Sequence, residues 1–216
     1  SPDEEKVLYF ARKKKGHEGV KGTVTEDFRG ILVHDHEITF YRYGSAHQEC
    51  LAHVERYLKD SMENEASLTW NRRMRELLQR MIHYRKEHTG EASLDAQTVA
   101  GFETEYQEIL DKAKEEYKRN EPSPYYREGY NLYRRMQEYK TEHLLFLHDM
   151  RVPTTNNTAE RCLRDYKRKQ TFAMTFRSLE SIEELCHSKG VLLEVRKNNP
   201  NIYTAVMEIF NRRYGA

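Results

Sequence analysis

Cysteine, long apolar runs and nucleotide-loop glycines are all scarce in this chain, and each shortage removes a class of protein. The three cysteines, Cys50, Cys162 and Cys186, stand far apart and form no CxxC pair. No disulfide framework is therefore expected, and the compartment reads as reducing. No apolar stretch approaches ~18 residues, which excludes a membrane-spanning helix, and no basic-then-apolar leader marks a signal peptide. Walker-type, GxGxxG, GxSxG and HExxH motifs are missing, so the common phosphate-loop, dinucleotide, serine-hydrolase and zincin sites are not expected. Charge of one sign is lacking too: 36 basic and 35 acidic side chains leave a net +1, so bulk charge does not announce a nucleic-acid binder.

What is present builds a core. Charged residues reach 33%, above the usual ~25%, but 15 Tyr, 8 Phe and regularly spaced Leu, Ile and Val argue against disorder. A chain of 216 residues fits one domain, or one domain with a large insertion.

Hydrophobic periodicity gives the order of elements. Residues 6–12, KVLYFAR, form a strand candidate, and residues 17–29 carry a weak helical spacing. Residues 31–35, ILVHD, are a continuous apolar run ending on Asp35, as expected of a strand buried on both faces. Residues 46–60 read as one helix. From residue 67 to 150 the pattern turns wholly helical, with helices expected near 68–88, 93–119 and 125–149. A helical hairpin with solvated charged faces, or a coiled-coil dimer arm, would satisfy that block. The loop at 152–157 leads to a helix running to about Lys169, in which Asn157 or Thr158 can cap and Glu160 falls in the first turn. Further helices are expected at 178–198 and 201–213. The fold class is α/β, mostly helical overall, with a large all-α insertion.

Asp35 and Glu160 are the carboxylates best placed for chemistry. Asp35 ends a buried strand, where open α/β sheets put their ligands, although an Asp that merely starts a turn is also consistent. Glu160 sits in a first helical turn, where it could equally serve the helix dipole or pair with Arg164. Its surroundings are strongly basic: residues 151–177 hold seven Lys/Arg against two acids, a net +5 in 27 residues. Arg161, Arg164 and Arg168 follow i, i+3, i+7 spacing and share one helix face, which suits a phosphate backbone or an ordinary solvated face. Cys50 and His53 have the CxxH spacing of half a metal site, but no second ligand pair stands at zinc-like spacing. A buried cysteine and a packing histidine are the plainer reading.

Two segments resemble one family. FRGILVHDHEITFYRYGSAHQECLAH (Phe28–His53) is similar to the stretch around the second catalytic aspartate of insertion-sequence-66-type transposases. VPTTNNTAERCLRDYKRKQTFAMTFRSLES (Val152–Ser181) resembles that family's Pro-x-x-Asn-Asn-x-x-Glu-Arg-x-x-Arg block, through Pro153, Asn156, Asn157, Glu160, Arg161, Arg164 and Lys169. The resemblance implies a ribonuclease-H-like DDE core over 1–60 and 151–216, interrupted by a helical insertion at 61–150. It implies that Asp35 and Glu160 are two of three carboxylates holding two Mg²⁺ (or Mn²⁺) ions. It also implies that Arg161, Arg164, Arg168 and Lys169 hold DNA phosphate, with Cys50, His53, Asn156 and Asn157 as motif residues. Transposon-end and target DNA are the implied partners, with a homo-oligomer and a cytoplasmic, nucleoid-associated location. The family's first aspartate lies on a strand ahead of the one expected at 6–12, so we expect a C-terminal fragment of the catalytic domain that lacks two strands and does not cleave DNA alone. A non-catalytic helical interaction or dimerisation module, or a basic DNA-binding domain without metal chemistry, are the competing readings.

Overall fold

Helix dominates because most of the chain places apolar residues three and four apart. A computed structural model of the chain describes residues 7–173, 178–199 and 201–214; at 165, 169, 170, 172, 173 and 212–214 it describes the backbone. The described elements are α1 (His17–Val20), β1 (Ile31–His34), a 3-10 turn (Ile38–Arg42), β2 (Ala46–Glu49), α2 (Leu51–Asn64), α3 (Trp70–Glu87), α4 (Ala96–Arg119), α5 (Glu128–Glu138), α6 (Lys140–His148), α7 (Asn157–Ala173), α8 (Leu179–Asn198) and α9 (Ile202–Tyr214). They fall into two compact units, residues 27–157 and residues 1–26 with 158–216.

The unit at 27–157 holds the core. Strands β1 and β2 pair in parallel, with Ile31 opposite Ala46 and His34 opposite Glu49. Helices α2 to α6 bury their apolar stripes on one another and on the sheet, around Leu58, Trp70, Leu78, Tyr106, Ile109, Met136 and Phe146. The stripes expected at 68–88 and 93–119 are therefore satisfied inside one unit rather than in a projecting arm. Asp95 caps α4 by accepting the Thr98 N–H at 2.8 Å, as a short acidic side chain ahead of a helix should. Glu116 of α4 accepts the Thr69 and Trp70 N–H groups at 2.9 and 3.1 Å, which caps α3 from a neighbouring helix.

The second unit is held differently. Tyr9, Val20, Cys186 and Ala205 are its buried apolar residues among those described. Tyr9 stacks on Tyr166 of α7 with ring centroids 5.0 Å apart, and its hydroxyl donates to the Cys162 carbonyl at 3.2 Å. Lys189 of α8 lies over both rings.

Three expectations need correction. Residues 7–12 form no strand, and Tyr9 anchors the segment on α7 instead. The helix expected over 46–60 is a strand followed by a helix. Pairing with β1 satisfies the backbone of Ala46–Glu49, and Cys50 is extended (φ −65°, ψ 109°) before α2 starts. The helix expected over 125–149 breaks at Tyr139 (φ −111°, ψ 35°), where the ring packs on His36 and Tyr41 at 5.1 and 4.6 Å.

Candidate active site

The end of β1 is built by its turn. Asp35 follows the last strand residue and is exposed. Its carbonyl accepts the Glu37 N–H at 2.6 Å and a contact from His34 Nδ1 at 2.5 Å. Its carboxylate makes no hydrogen bond or ion pair among the described residues, so two oxygens face solvent at the C-terminal end of a parallel strand. The return to β2 passes through Gly44 at φ 75°, where an added Cβ would lie 2.8 Å from the Gly30 carbonyl, so the close approach admits glycine alone.

Beneath that turn lies a buried carboxylate that the sequence reading missed. Glu49, at the end of β2, is 1% exposed. Its Oε1 accepts from His36 Nδ1 at 2.7 Å and from the Tyr41 hydroxyl. Its Oε2 lies 3.1 Å from His143 Nε2 and 3.4 Å from Arg135 Nε. Burial alone would raise the Glu49 pKa, but the hydrogen bonds from His143 and His36 and the Arg135 charge outweigh it and hold the group well below the ordinary carboxylate range. Burial and the hydrogen bond to Glu49 push the Tyr41 hydroxyl upward. Burial also lowers the pKa of His34, whose Nε2 sits 3.3 Å from His47 Nδ1. The Tyr106 hydroxyl contacts His143 Nδ1 at 3.0 Å and so extends the network into the helical core. Gln48 adds a second tie, its Oε1 accepting the Phe146 N–H at 2.8 Å. The residue after Asp35 is thus held, through Glu49, to helices α5 and α6. Reading 46–60 as one helix hid Glu49; the histidines at 34, 36 and 47 ahead of it were the available signal.

Cys50 and the Asn-Asn loop meet. The Asn156 N–H donates to the buried Cys50 Sγ at 3.4 Å, and the Leu51 N–H donates to the Thr154 carbonyl at 2.9 Å. The loop at 154–156 therefore satisfies the start of α2, and the Asn156 side-chain oxygen is buried with no hydrogen-bond partner among the described residues. His53 lies one turn into α2, and Asn157 opens α7.

On α7, Glu160 is half-buried in the first turn, and Arg161, Arg164 and Arg168 are exposed along it. The Lys169 side chain lies outside the described residues. Asp35 belongs to one unit and Glu160 to the other. Among the described residues no group of three or more His, Cys, Asp or Glu could hold a metal ion, so Asp35 and Glu160 are at most part of a ligand set. As oxygen donors, one of them free and solvent-facing, they fit a hard divalent cation such as Mg²⁺. No described helix is long and apolar enough to cross a membrane.

The described structure is thus mostly helical, with an exposed aspartate at the end of a parallel strand and a basic helix bearing a first-turn glutamate. The chain belongs to the IS66 transposase family: the model described as "Transposase IS66 family" matches residues 1–184. No curated protein and no solved structure matches it.

Proposed function

We propose that this chain carries part of the catalytic centre of a DDE transposase, in which Asp35 and Glu160 supply two of three carboxylates for divalent metal. The observation that carries this reading is the unpartnered Asp35 carboxylate at the C-terminal end of β1, inside the span matched by the family. A buried, hydrogen-bonded Asp would serve the fold; one left open to solvent is available to a ligand. The parallel β1–β2 pair followed by α2 supports a ribonuclease-H-like core, with residues 61–150 as its helical insertion.

In that centre Asp35 and Glu160 present oxygen ligands, and Arg161, Arg164, Arg168 and Lys169 neutralise the phosphodiester and orient it. The chemistry the two ions supply when bound is activation of the attacking oxygen and stabilisation of the leaving one. Glu49, through His36, fixes the turn from which Asp35 projects. DNA ends and target DNA are the substrates, handled by a homo-oligomer.

The test is strand cleavage of transposon-end DNA by an intact transposase carrying this sequence. Asp35→Asn and Glu160→Gln should each reduce Mg²⁺-dependent cleavage by more than the ~100-fold typical of losing an outer-shell partner. Cleavage that survives either substitution within a few-fold would refute the assignment.

A further inference from the structure

Helices α4 and α5 enclose a cleft of about 610 Å³ in the helical block, remote in sequence from Asp35 and Glu160. The last two turns of α4 present Lys114, Tyr117 and Lys118 to it, and the residues at 127, 130, 134 and 137 present one face of α5. Four cations thus line the cleft against a single acid, Glu121. Lys118 is matched by Glu115 at 2.7 Å, whereas Lys114, Arg127 and Arg134 are exposed and make no ion pair among the described residues. Arg127 also sits at the positive N-terminal end of α5, where a cation is disfavoured by the helix dipole. Stability gives no reason for this arrangement, and concave clusters of one sign concentrate the field for an oppositely charged ligand.

The floor of the cleft is aromatic. Tyr117 and Tyr133 are buried, with ring centroids 5.5 Å apart, and the Tyr117 hydroxyl is spent on Glu65 at 3.0 Å. Tyr130 is half-buried at the lip, packed edge-on against Tyr117 at 5.1 Å, so part of its ring is open. Cations along two walls with an aromatic ring between them are the means by which single-stranded nucleic acid is held: the cations follow the backbone, and unpaired bases stack on the ring. A duplex has no unpaired base to offer that ring.

We propose that the α4–α5 cleft binds single-stranded DNA, separately from the basic face of α7. The proposal does not depend on the roles assigned to Asp35 and Glu160, and its test uses no cleavage. The probe is a labelled oligo-deoxythymidine of roughly 15 nucleotides, followed by fluorescence anisotropy over a range of salt. In the single-strand assays the 216-residue chain carries Arg161→Gln, Arg164→Gln and Arg168→Gln, so that the contribution of α7 is reduced.

Adding Lys114→Gln, Arg127→Gln and Arg134→Gln should weaken oligo-deoxythymidine binding at least ~10-fold and flatten the log–log salt slope by about 2, three contacts at ~0.7 each. These side chains are exposed, so an unchanged thermal midpoint verifies the fold. Tyr130→Leu, which keeps apolar bulk but removes the aromatic face, should weaken single-strand binding and leave the salt slope alone. With the α7 arginines restored, neither set should alter binding of a blunt duplex. No binding by the chain neutralised on α7, or unchanged affinity and slope in the cleft variants, overturns the proposal. So does displacement by tripolyphosphate together with indifference to Tyr130→Leu, which would mark a site for small anions.

Discussion

The unit at 27–157 and the unit formed by residues 1–26 and 158–216 are held by different physics. In the first, every buried member of the hydrophobic core lies between Leu51 and Val152, and a buried polar network around Glu49 is closed by side chains from four elements or turns. In the second, few apolar side chains are buried among the described residues. Leu163, Val191 and Phe210 are 44%, 55% and 55% exposed, and contacts such as Tyr9–Tyr166–Lys189 do the joining. Yet the second unit carries Glu160 and the basic face of α7. The well-packed unit positions the Asp35 turn, and the sparsely packed one carries the basic face proposed to meet DNA. Elements that must adapt to a ligand are drawn from the less stable parts of a fold.

Breaking the core should separate the two units most sharply. Phe146→Ala should cost about 3–5 kcal/mol in chemical denaturation, whereas Leu163→Ala on α7 should stay within about 0.5 kcal/mol. Equal losses at the two sites would erase the distinction.

Glu49→Ala should follow, at roughly 3–4 kcal/mol, because it leaves Arg135 and two histidines without their buried partner. The same group gives a pH signature. Its pKa is lower in the folded chain than the ordinary 4.5, so the unfolded chain binds the proton more readily. Its contribution is present above about pH 4.5 and is lost progressively as pH falls below that value. Chemical-denaturation midpoints of the native chain and Glu49→Gln, measured at a series of pH values, should therefore converge as pH falls; a constant gap between them would count against a charged Glu49.

A smaller effect is expected at the α4 cap. Asp95→Ala should cost about 1 kcal/mol, read from the denaturation midpoint. Smallest in stability are Arg161→Gln, Arg164→Gln and Arg168→Gln together. Their combined thermal effect should be slight, while the salt slope of duplex DNA binding should fall by about 2–3. Loss of stability without loss of DNA binding would make this face structural.

The sequence made much of this legible where information is local. The stripes of α3 and α4, the Ser178 cap of α8 and the start of α9 just after Pro200 all follow from periodicity and cap chemistry. The parallel strand Ala46–Glu49 was not legible. It has no β-branched residue, and its strand state comes from pairing with β1, a contact that helical periodicity does not register. The break at Tyr139 has the same origin, since the ring leaves the helix line to meet His36 and Tyr41. Glu49 was hidden by both errors: its partners come from a turn, α5 and α6, and are gathered only by the fold. Asp35, by contrast, could be singled out because the end of an apolar run is a local signal, and Glu160 because its Asn-Asn-x-x-Glu-Arg setting is contiguous.

The central claim is that Asp35 and Glu160 serve the same divalent metal centre. Iron(II) substituted for Mg²⁺, with ascorbate and peroxide, cuts a polypeptide near the bound ion, and mass spectrometry maps the cuts. Cleavage is expected near both residue 35 and residue 160, with both sets of cuts abolished by Asp35→Asn or by Glu160→Gln. Cuts near only one of them, or cuts indifferent to either substitution, would contradict it.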